Sequence, residues 1–549
     1  MDEAPDKWKF WLIIALVALA ALSEHLAFNR IFQVDELQYI FTARLLATHQ
    51  AAHYAVSANL MLLGPMTWIA GSIDNAALLL RCERLLFLGL FWLNLCLIVH
   101  CAGLRLSSRK GLIALILVAL LVPLWDYGFE IRHDNALLTA VLLTWSFARA
   151  LGGGKRRLAL VGASAVIAQF IAFKAFAYVA PIVVFAVAAA AWEDKRKWWR
   201  VLGELLAGAA AALIAAVTAH WLAGTWAAFS SDTKSLGAAA VHATVRFLPW
   251  PTLWRVVVQS PLLVIGIVIA AVMAVRAARV NGLFSRESLL PELGLVILAL
   301  ATLFVNRTPF PYNVVLFVPQ AAILCLRLEP LARRFNQATA VVLVVIHLAC
   351  WIVWMPRHLQ MTNERQMELA TTAERLTDPV EHAVFDGSGL VPTRHPPGRN
   401  WLIHTFTIDA FRNGTFPPIR AQLAEGRTPV IIPNYRTSWL PAEDHQYIRQ
   451  HYVPLAGDLL VAGTVLTRAG TAQWDCPVAG RYYVAYGGSH PPPALDGKPL
   501  ARGIAILGKG PHTFESDGGT VYVVWVGPTL GAPPAIGPGD ASRVFVNWY

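Results

Sequence analysis

The 549-residue chain is 56% hydrophobic and 14% charged, with a net charge of +11 and a mean hydropathy of +0.51. Soluble globular proteins are about 25% charged, so the composition disfavours an ordinary cytosolic enzyme. The Lys and Arg residues sit in short clusters between long apolar runs, which is a membrane-topology pattern and not a nucleic-acid-binding surface. The six Cys fit no metal spacing, and Cys476 alone lies in the polar C-terminal third, which therefore closes no internal disulfide.

A bilayer core of about 30 Å takes roughly 20 apolar residues as helix. Spans are expected at 9–28, 79–104, 109–127, 134–150, 157–174, 176–192, 201–223, 258–276, 289–305, 313–328 and 338–356. That makes about eleven, the fifth and sixth coming from one long run that is split in two. With a cytoplasmic N-terminus, the inside loops carry Arg105/Arg109/Lys110, Arg149/Lys155/Arg156/Arg157, Lys195/Arg196/Lys197/Arg200, Arg276/Arg279/Arg286 and Arg327/Arg333/Arg334. The opposite loops carry isolated basic residues, so the positive-inside rule fixes this orientation and places residues 357–549 outside. The run Phe10 to Leu22 also has the length of a signal-peptide core, but its leader mixes Asp2, Glu3 and Asp6 with Lys7 and Lys9. Either way the segment after Phe28 lies outside.

Two outside stretches are long. Residues 29–78 contain Glu36–Ala47, compatible with a helix, and Leu60–Ile69, apolar but short for a span; both suit helices lying in the interface. Residues 224–257 place Pro249, Trp250, Pro251 and Trp254 in an interfacial setting. In the tail, residues 380–456 mix short strands such as Val430–Ile432 with a helix near Ala442–His451. From Thr464 the pattern is strand-rich: Tyr482–Tyr486, a turn at Asp496-Gly497, Tyr522–Val526 and Val544–Trp548. The expected fold is a polytopic α-helical membrane domain over 1–356, followed by an extracytoplasmic soluble domain over 357–549, α/β and then β-sandwich-like. Trp401, Trp439 and Trp474 belong to the core of that domain more readily than to a sugar-binding face.

Four groups of polar residues fall on the outer side. Asp35 and Glu36 follow the first span, as paired carboxylates able to act as base, hold a metal, or simply favour a first helical turn. Glu130-Ile131-Arg132-His133-Asp134 links the third and fourth spans; Arg132 could bind a phosphate through two parallel hydrogen bonds, or snorkel while Asp134 caps the next helix. Lys174 stands alone in a long apolar run, which is costly unless it meets a carboxylate, an anionic lipid or the interface. Arg307 and Tyr312 lie in the turn Asn306-Arg307-Thr308-Pro309-Phe310-Pro311-Tyr312-Asn313, which also serves as a plain helix connector. Their convergence on one side describes a pocket opening toward lipid, suited to an anionic lipid head and a reaction that needs a base.

These motifs and their layout over residues 9–356 resemble the GT-C membrane glycosyltransferases, in particular the protein-mannosyltransferase and aminoarabinose-transferase type. The resemblance implies a polyprenyl-phosphate sugar as donor, transfer at the outer face with inversion, and an envelope glycan, lipid or protein as acceptor. It implies Asp35 as general base with Glu36 beside it, the choice between the two being open. Arg132, Asp134, Lys174, Arg307 and Tyr312 would line the donor-phosphate and substrate site. His133 stands where such proteins often have Pro. Some members use a divalent metal, but no second Asp-x-Asp cluster is evident and no cofactor is expected. The rival reading, a transporter or flippase of lipid-linked or other substrates, usually carries internal repeats and charges near the bilayer midplane; neither is evident here.

Overall fold

The computed structural model describes residues 7–545 apart from 52, 55–58, 150–156, 193–195, 231–248, 282–287, 306–310, 329–336, 405–406, 456–458, 488–491 and 529–543. Arg307, the basic residues Lys155, Arg156, Lys195, Arg286, Arg333 and Arg334, and most of the strand expected at Val544–Trp548 lie outside the described residues.

The N-terminal part is a bundle of apolar helices. Those that concern the site are α1 (Lys7–Asn29), α2 (Val34–Ala47), α3 (Leu60–Ser72), α4 (Ala76–Cys101), α5 (Arg109–Ala119), α6 (Val122–Tyr127), α7 (His133–Arg149), α8 (Leu158–Ile171), α9 (Ala175–Trp192) and α10 (Trp198–Leu222). They are followed by α11 (Trp250–Gln259), α12 (Pro261–Asn281), α13 (Leu290–Val305), α14 (Val314–Leu326), α15 (Gln337–Gln360) and α16 (Glu364–Leu376). Among the described residues five helices are long and apolar enough to cross a bilayer, and the bent pair α11–α12 makes a sixth if it counts as one span. Large apolar side chains stand exposed around the bundle, on α1 (Phe10, Trp11), α10 (Leu206, Ile214), α12 (Val268) and α15 (Val353), as a lipid-facing perimeter requires. The chain is a polytopic membrane protein.

The expectation of about eleven spans rested on apolar length, and each expected segment carries helix, although not every one is long enough to cross unaided. The 109–127 run breaks into α5 and α6, with Pro123 in the first turn of α6, where its fixed φ is accommodated. The 157–192 run divides as expected, at residues 172–174 between α8 and α9, with Ala172 extended at φ −154°. Helices α3, α8, α13 and α14 are apolar but shorter than the length that crosses unaided. Both helices expected between the first two spans form: α2 begins with a reciprocal cap between Gln33 and Glu36, and α3 is capped by the Asn59 side chain.

The C-terminal part is a sheet region with small helices. Its larger sheet runs β1 (Val384–Phe385), β2 (Val430–Ile431), β4 (Leu459–Leu466), β11 (Val521–Trp525), β6 (Gly480–Tyr486) and β9 (Gly503–Leu507), with β3 (Tyr452–Leu455) also pairing β4. A second sheet orders β5 (Gly470–Cys476), β10 (Gly510–Ser516), β7 (Ala494–Leu495) and β8 (Lys498–Pro499). The Asp496-Gly497 turn joins β7 to β8 as expected, with both residues at positive φ. The helix near Ala442–His451 also forms. Trp401 and Trp474 are buried, and Trp439 packs against the core.

Backbone ties join the two parts. Ile31 N donates to Met361 O at 2.9 Å and Asn363 N to Asn29 O at 2.7 Å. Gln366 closes on Phe32, accepting from its N–H at 2.7 Å and donating to its C=O at 2.9 Å. The segment leading into α2 is therefore held from both sides, which sets the position of Asp35.

Candidate active site

Asp35 and Glu36, adjacent in sequence, face different surroundings. Glu36 is completely buried, and its two oxygens accept from Arg84 Nη2 (2.5 Å), Arg84 Nε (3.1 Å), Gln33 N (2.9 Å) and Ile131 N (3.0 Å). Arg84 in turn donates to Arg30 O and Ile31 O and lies over the Phe32 ring. Asp35 keeps 29% of its side chain exposed. Its Oδ1 accepts from Arg436 Nη2 at 2.5 Å and its Oδ2 from Arg132 Nη2 at 3.2 Å. Burial pushes this carboxyl up, but Arg436 and Arg132 outweigh it and hold it at about 2.

Arg132 is fixed by the link between α6 and α7. Asn135 donates to the carbonyls of Tyr127 (2.9 Å) and Glu130 (2.7 Å), which folds the link back on itself. Glu130 is turned inward onto Arg30 at 3.0 Å, so this carboxylate anchors the link. The Arg132 guanidinium lies 3.5 Å above the centre of the Tyr312 ring and 3.6 Å from Asp134 Oδ2. His133 Nδ1 meets the Tyr39 hydroxyl at 2.7 Å.

Lys174 occupies the break between α8 and α9. An interrupted helix can place an ammonium group at depth because neighbouring side chains replace the lost water. Its Nζ pairs with Asp134 and donates to Asn313 Oδ1 at 2.9 Å, and lies 5.5 Å from the Tyr312 ring centre. Six of the seven residues singled out from the sequence thus gather around one centre, or directly beneath it in the case of Glu36. Arg307 lies outside the described residues.

Sequence reasoning missed three contributors. Arg84 carried a usable signal, a charge inside the apolar run of α4. Arg436 and His404 carried none, since both lie in the C-terminal region where polar residues are common. They reach the site through a chain of local contacts. The Asp386 carboxylate accepts from the N–H groups of Ser388, Gly389 and Leu390 and shapes the loop after β1. Asn434, after β2, donates to Asp386 O at 2.6 Å and accepts from Arg436 N at 2.9 Å. Ile403 N donates to Gly387 O at 3.0 Å, and Ile403 O receives Arg436 Nη1 at 2.8 Å. The loops that follow the parallel strands β1 and β2 thereby face the helical bundle, where Gly389 abuts Phe41 and Arg436 meets Asp35. His404 stands beside Arg436 and Asp35; burial, and then Arg436, lower its ring to about 4.

The cluster offers one partly exposed carboxylate between two guanidinium groups, with an ammonium group and an aromatic face close by. Such a set can receive an anionic group and accept a proton next to it.

No family model matches this sequence, and no curated protein matches it. Among solved structures, the fold is similar to ArnT from Cupriavidus metallidurans bound to undecaprenyl phosphate, with a TM-score of 0.54 and 14% identity over 84% of this chain and 98% of that one. At this identity the likeness is one of fold, and it supports the GT-C-type fold expected from the sequence.

Proposed function

We propose that this protein is a membrane glycosyltransferase that moves a sugar from a polyprenyl-phosphate donor to a hydroxyl of a cell-envelope acceptor, at the outer face of the membrane and with inversion. The observation that carries this reading is the gathering of Asp35, Arg132, Lys174 and Tyr312 at the end of the bundle. The fold is shared with a protein solved with undecaprenyl phosphate bound, and the bundle end lies against the C-terminal region. The N-terminus is then cytoplasmic and the sheet region extracytoplasmic.

In this reading Arg132 and Lys174 bind the donor phosphate. Both are engaged with carboxylates, Arg132 with Asp35 and Lys174 with Asp134, and the incoming phosphate competes for them. The acceptor oxygen attacks the anomeric carbon from the side opposite the phosphate. The C–O bond to phosphate breaks with its electron pair remaining on the leaving polyprenyl phosphate, and the acceptor proton passes to Asp35. Because phosphate is a competent leaving group, the protein has only to take up a proton and neutralise charge. Asp35 is assigned as base over Glu36 because both Glu36 oxygens are spent on Arg84 and two backbone N–H groups. Glu36 supports the loop that carries its neighbour.

The experiment is binding and transfer with full-length protein in nanodiscs. Undecaprenyl phosphate should bind the wild type, and Arg132→Ala and Lys174→Ala should weaken that binding at least about tenfold while the protein stays folded. A set of synthetic undecaprenyl-phosphate sugars should include one that releases undecaprenyl phosphate in the presence of envelope acceptors. Transbilayer movement of the lipid without release would instead support a flippase.

A further inference from the structure

We propose that Arg436, carried by the C-terminal sheet region, is the positioning residue of the base: it holds Asp35 Oδ1 so that Oδ2 is the oxygen presented to the acceptor. This rests on the reading of Asp35 as base and deepens it, because it makes the sheet region a component of the reaction centre.

The two oxygens of Asp35 are held unequally. Arg436 Nη2 meets Oδ1 at 2.5 Å, whereas Arg132 Nη2 meets Oδ2 at 3.2 Å. Arg132 is shared: it also approaches Asp134 Oδ2 at 3.6 Å and Glu130 Oε2 at 3.9 Å, and covers the Tyr312 ring. It is the partner that an incoming phosphate can draw away. Arg436 is committed, since its other terminal nitrogen is bound to Ile403 O at 2.8 Å and its backbone is tied through Asn434 to the loop after β1. Its side chain is 8% exposed. When phosphate takes Arg132, Oδ2 is released toward the reacting centre while Oδ1 stays held.

The same exchange resolves a conflict in basicity. A carboxylate flanked by two guanidinium groups is a weak base, and efficient proton transfer wants a stronger one. Losing Arg132 to the phosphate removes one of the charges that depress Asp35, so donor binding raises the basicity of the group that must act next. The other groups facing Asp35 are His404 from the sheet region, His133 from α7 and Tyr39 one turn along α2. Packing keeps the sheet region in place: Trp401 lies 4.4 Å from the Phe41 ring of α2 between centroids, and Gly389 abuts Phe41.

The test uses full-length protein in nanodiscs. Infrared titration, with Asp35→Asn identifying the Asp35 band, should find the wild-type carboxylate ionised down to about pH 3, and Arg436→Ala should move its midpoint up by about one unit or more. Undecaprenyl phosphate added to the wild type should also move the midpoint up. In transfer from synthetic undecaprenyl-phosphate sugars, Arg436→Ala should lower kcat about 10- to 100-fold, leave donor KM within about twofold, and add nothing to the loss in Asp35→Asn. Arg436→Lys should recover part of both effects. If Arg436→Ala fails to fold, Arg436→Gln, which keeps a donor for Ile403 O but not the charge, carries the same comparison. An unchanged midpoint with wild-type kcat in either neutral variant overturns the proposal. Normal turnover in Asp35→Asn defeats the base assignment itself, whereas an inactive Asp35→Asn beside an unaffected Arg436→Ala defeats only this inference.

Discussion

Asp35 and Glu36 respond oppositely to the same isosteric change because only one of them is fully paired. Glu36→Gln leaves Arg84 buried with its charge uncompensated. Breaking one partner of a buried pair costs about 3–5 kcal/mol, so the midpoint of thermal unfolding should drop sharply. Asp35→Asn should cost less, since Asp35 is partly exposed, Arg436 keeps Ile403 O and Arg132 keeps Asp134 and Glu130 close by. It should fold normally and lose turnover by about 10²–10⁴-fold, the usual worth of a general base. A Glu36→Gln protein as stable as wild type would show that the Arg84 pair holds little. His404 gives a pH test. Its folded ring titrates at about 4, whereas an unfolded His titrates near 6.5, at about the usual value. Between these values the unfolded chain binds the extra proton, so this residue costs stability as pH falls through the window. His404→Gln should flatten that part of the curve of unfolding temperature against pH; equal slopes in the two proteins would count against it.

At the scale of elements, the break between α8 and α9 delivers Lys174, and the close approach of α8 to α10 holds α8 in place. A Cβ at Gly208 would meet Ala159 O at 1.8 Å, and one at Gly162 would meet Leu205 O at 2.1 Å. Each helix thus offers a glycine to the backbone of the other, which is how helices pack tightly in lipid. Asn59, the cap of α3, donates to Phe170 O (2.7 Å) and Ile171 O (3.0 Å), satisfying carbonyls freed at the end of α8. Gly208→Val should part the two helices, lower the unfolding temperature and weaken undecaprenyl phosphate binding through displaced Lys174. Unaltered binding would mean that the α8–α10 contact does not set the position of Lys174. At the other end of the bundle, Glu292 is buried between Arg149 (3.1 Å) and Arg327. Two arginines of the basic clusters expected inside therefore lock α7, α13 and α14 together.

For the whole molecule, the central contact is the seating of the sheet region on α2. Gly389 has φ +96°, and a Cβ there would lie 2.6 Å from the Phe41 Cβ. Gly389→Val, strained in backbone and blocked by Phe41, should separate Arg436 from Asp35 and reproduce the turnover loss of Arg436→Ala without touching a charged residue. Full activity in that variant would show that the seating does not matter. The proposed orientation is checked separately: a reporter fused after Arg357 should be active outside the cytoplasm and one fused near Lys155 inside it.

Local sequence was enough for the membrane character, the helices α2 and α3 between the first two apolar runs, and the local identity of most candidate site residues. Apolar length, caps and the solvation cost of a charge act over a few residues, so Asp35, Arg132 and Lys174 stood out without any knowledge of the fold. Division of labour between Asp35 and Glu36 was not legible, because it depends on Arg84, which is 48 positions away. Nor was the part played by Arg436, which lies 401 positions from Asp35 and looks in the sequence like any other polar residue of the tail. Hydrogen bonds of that range have no sequence periodicity. They exist only once the bundle and the sheet region have met, and tertiary structure alone decides which carboxylate is spent on holding the loop and which stays partly exposed.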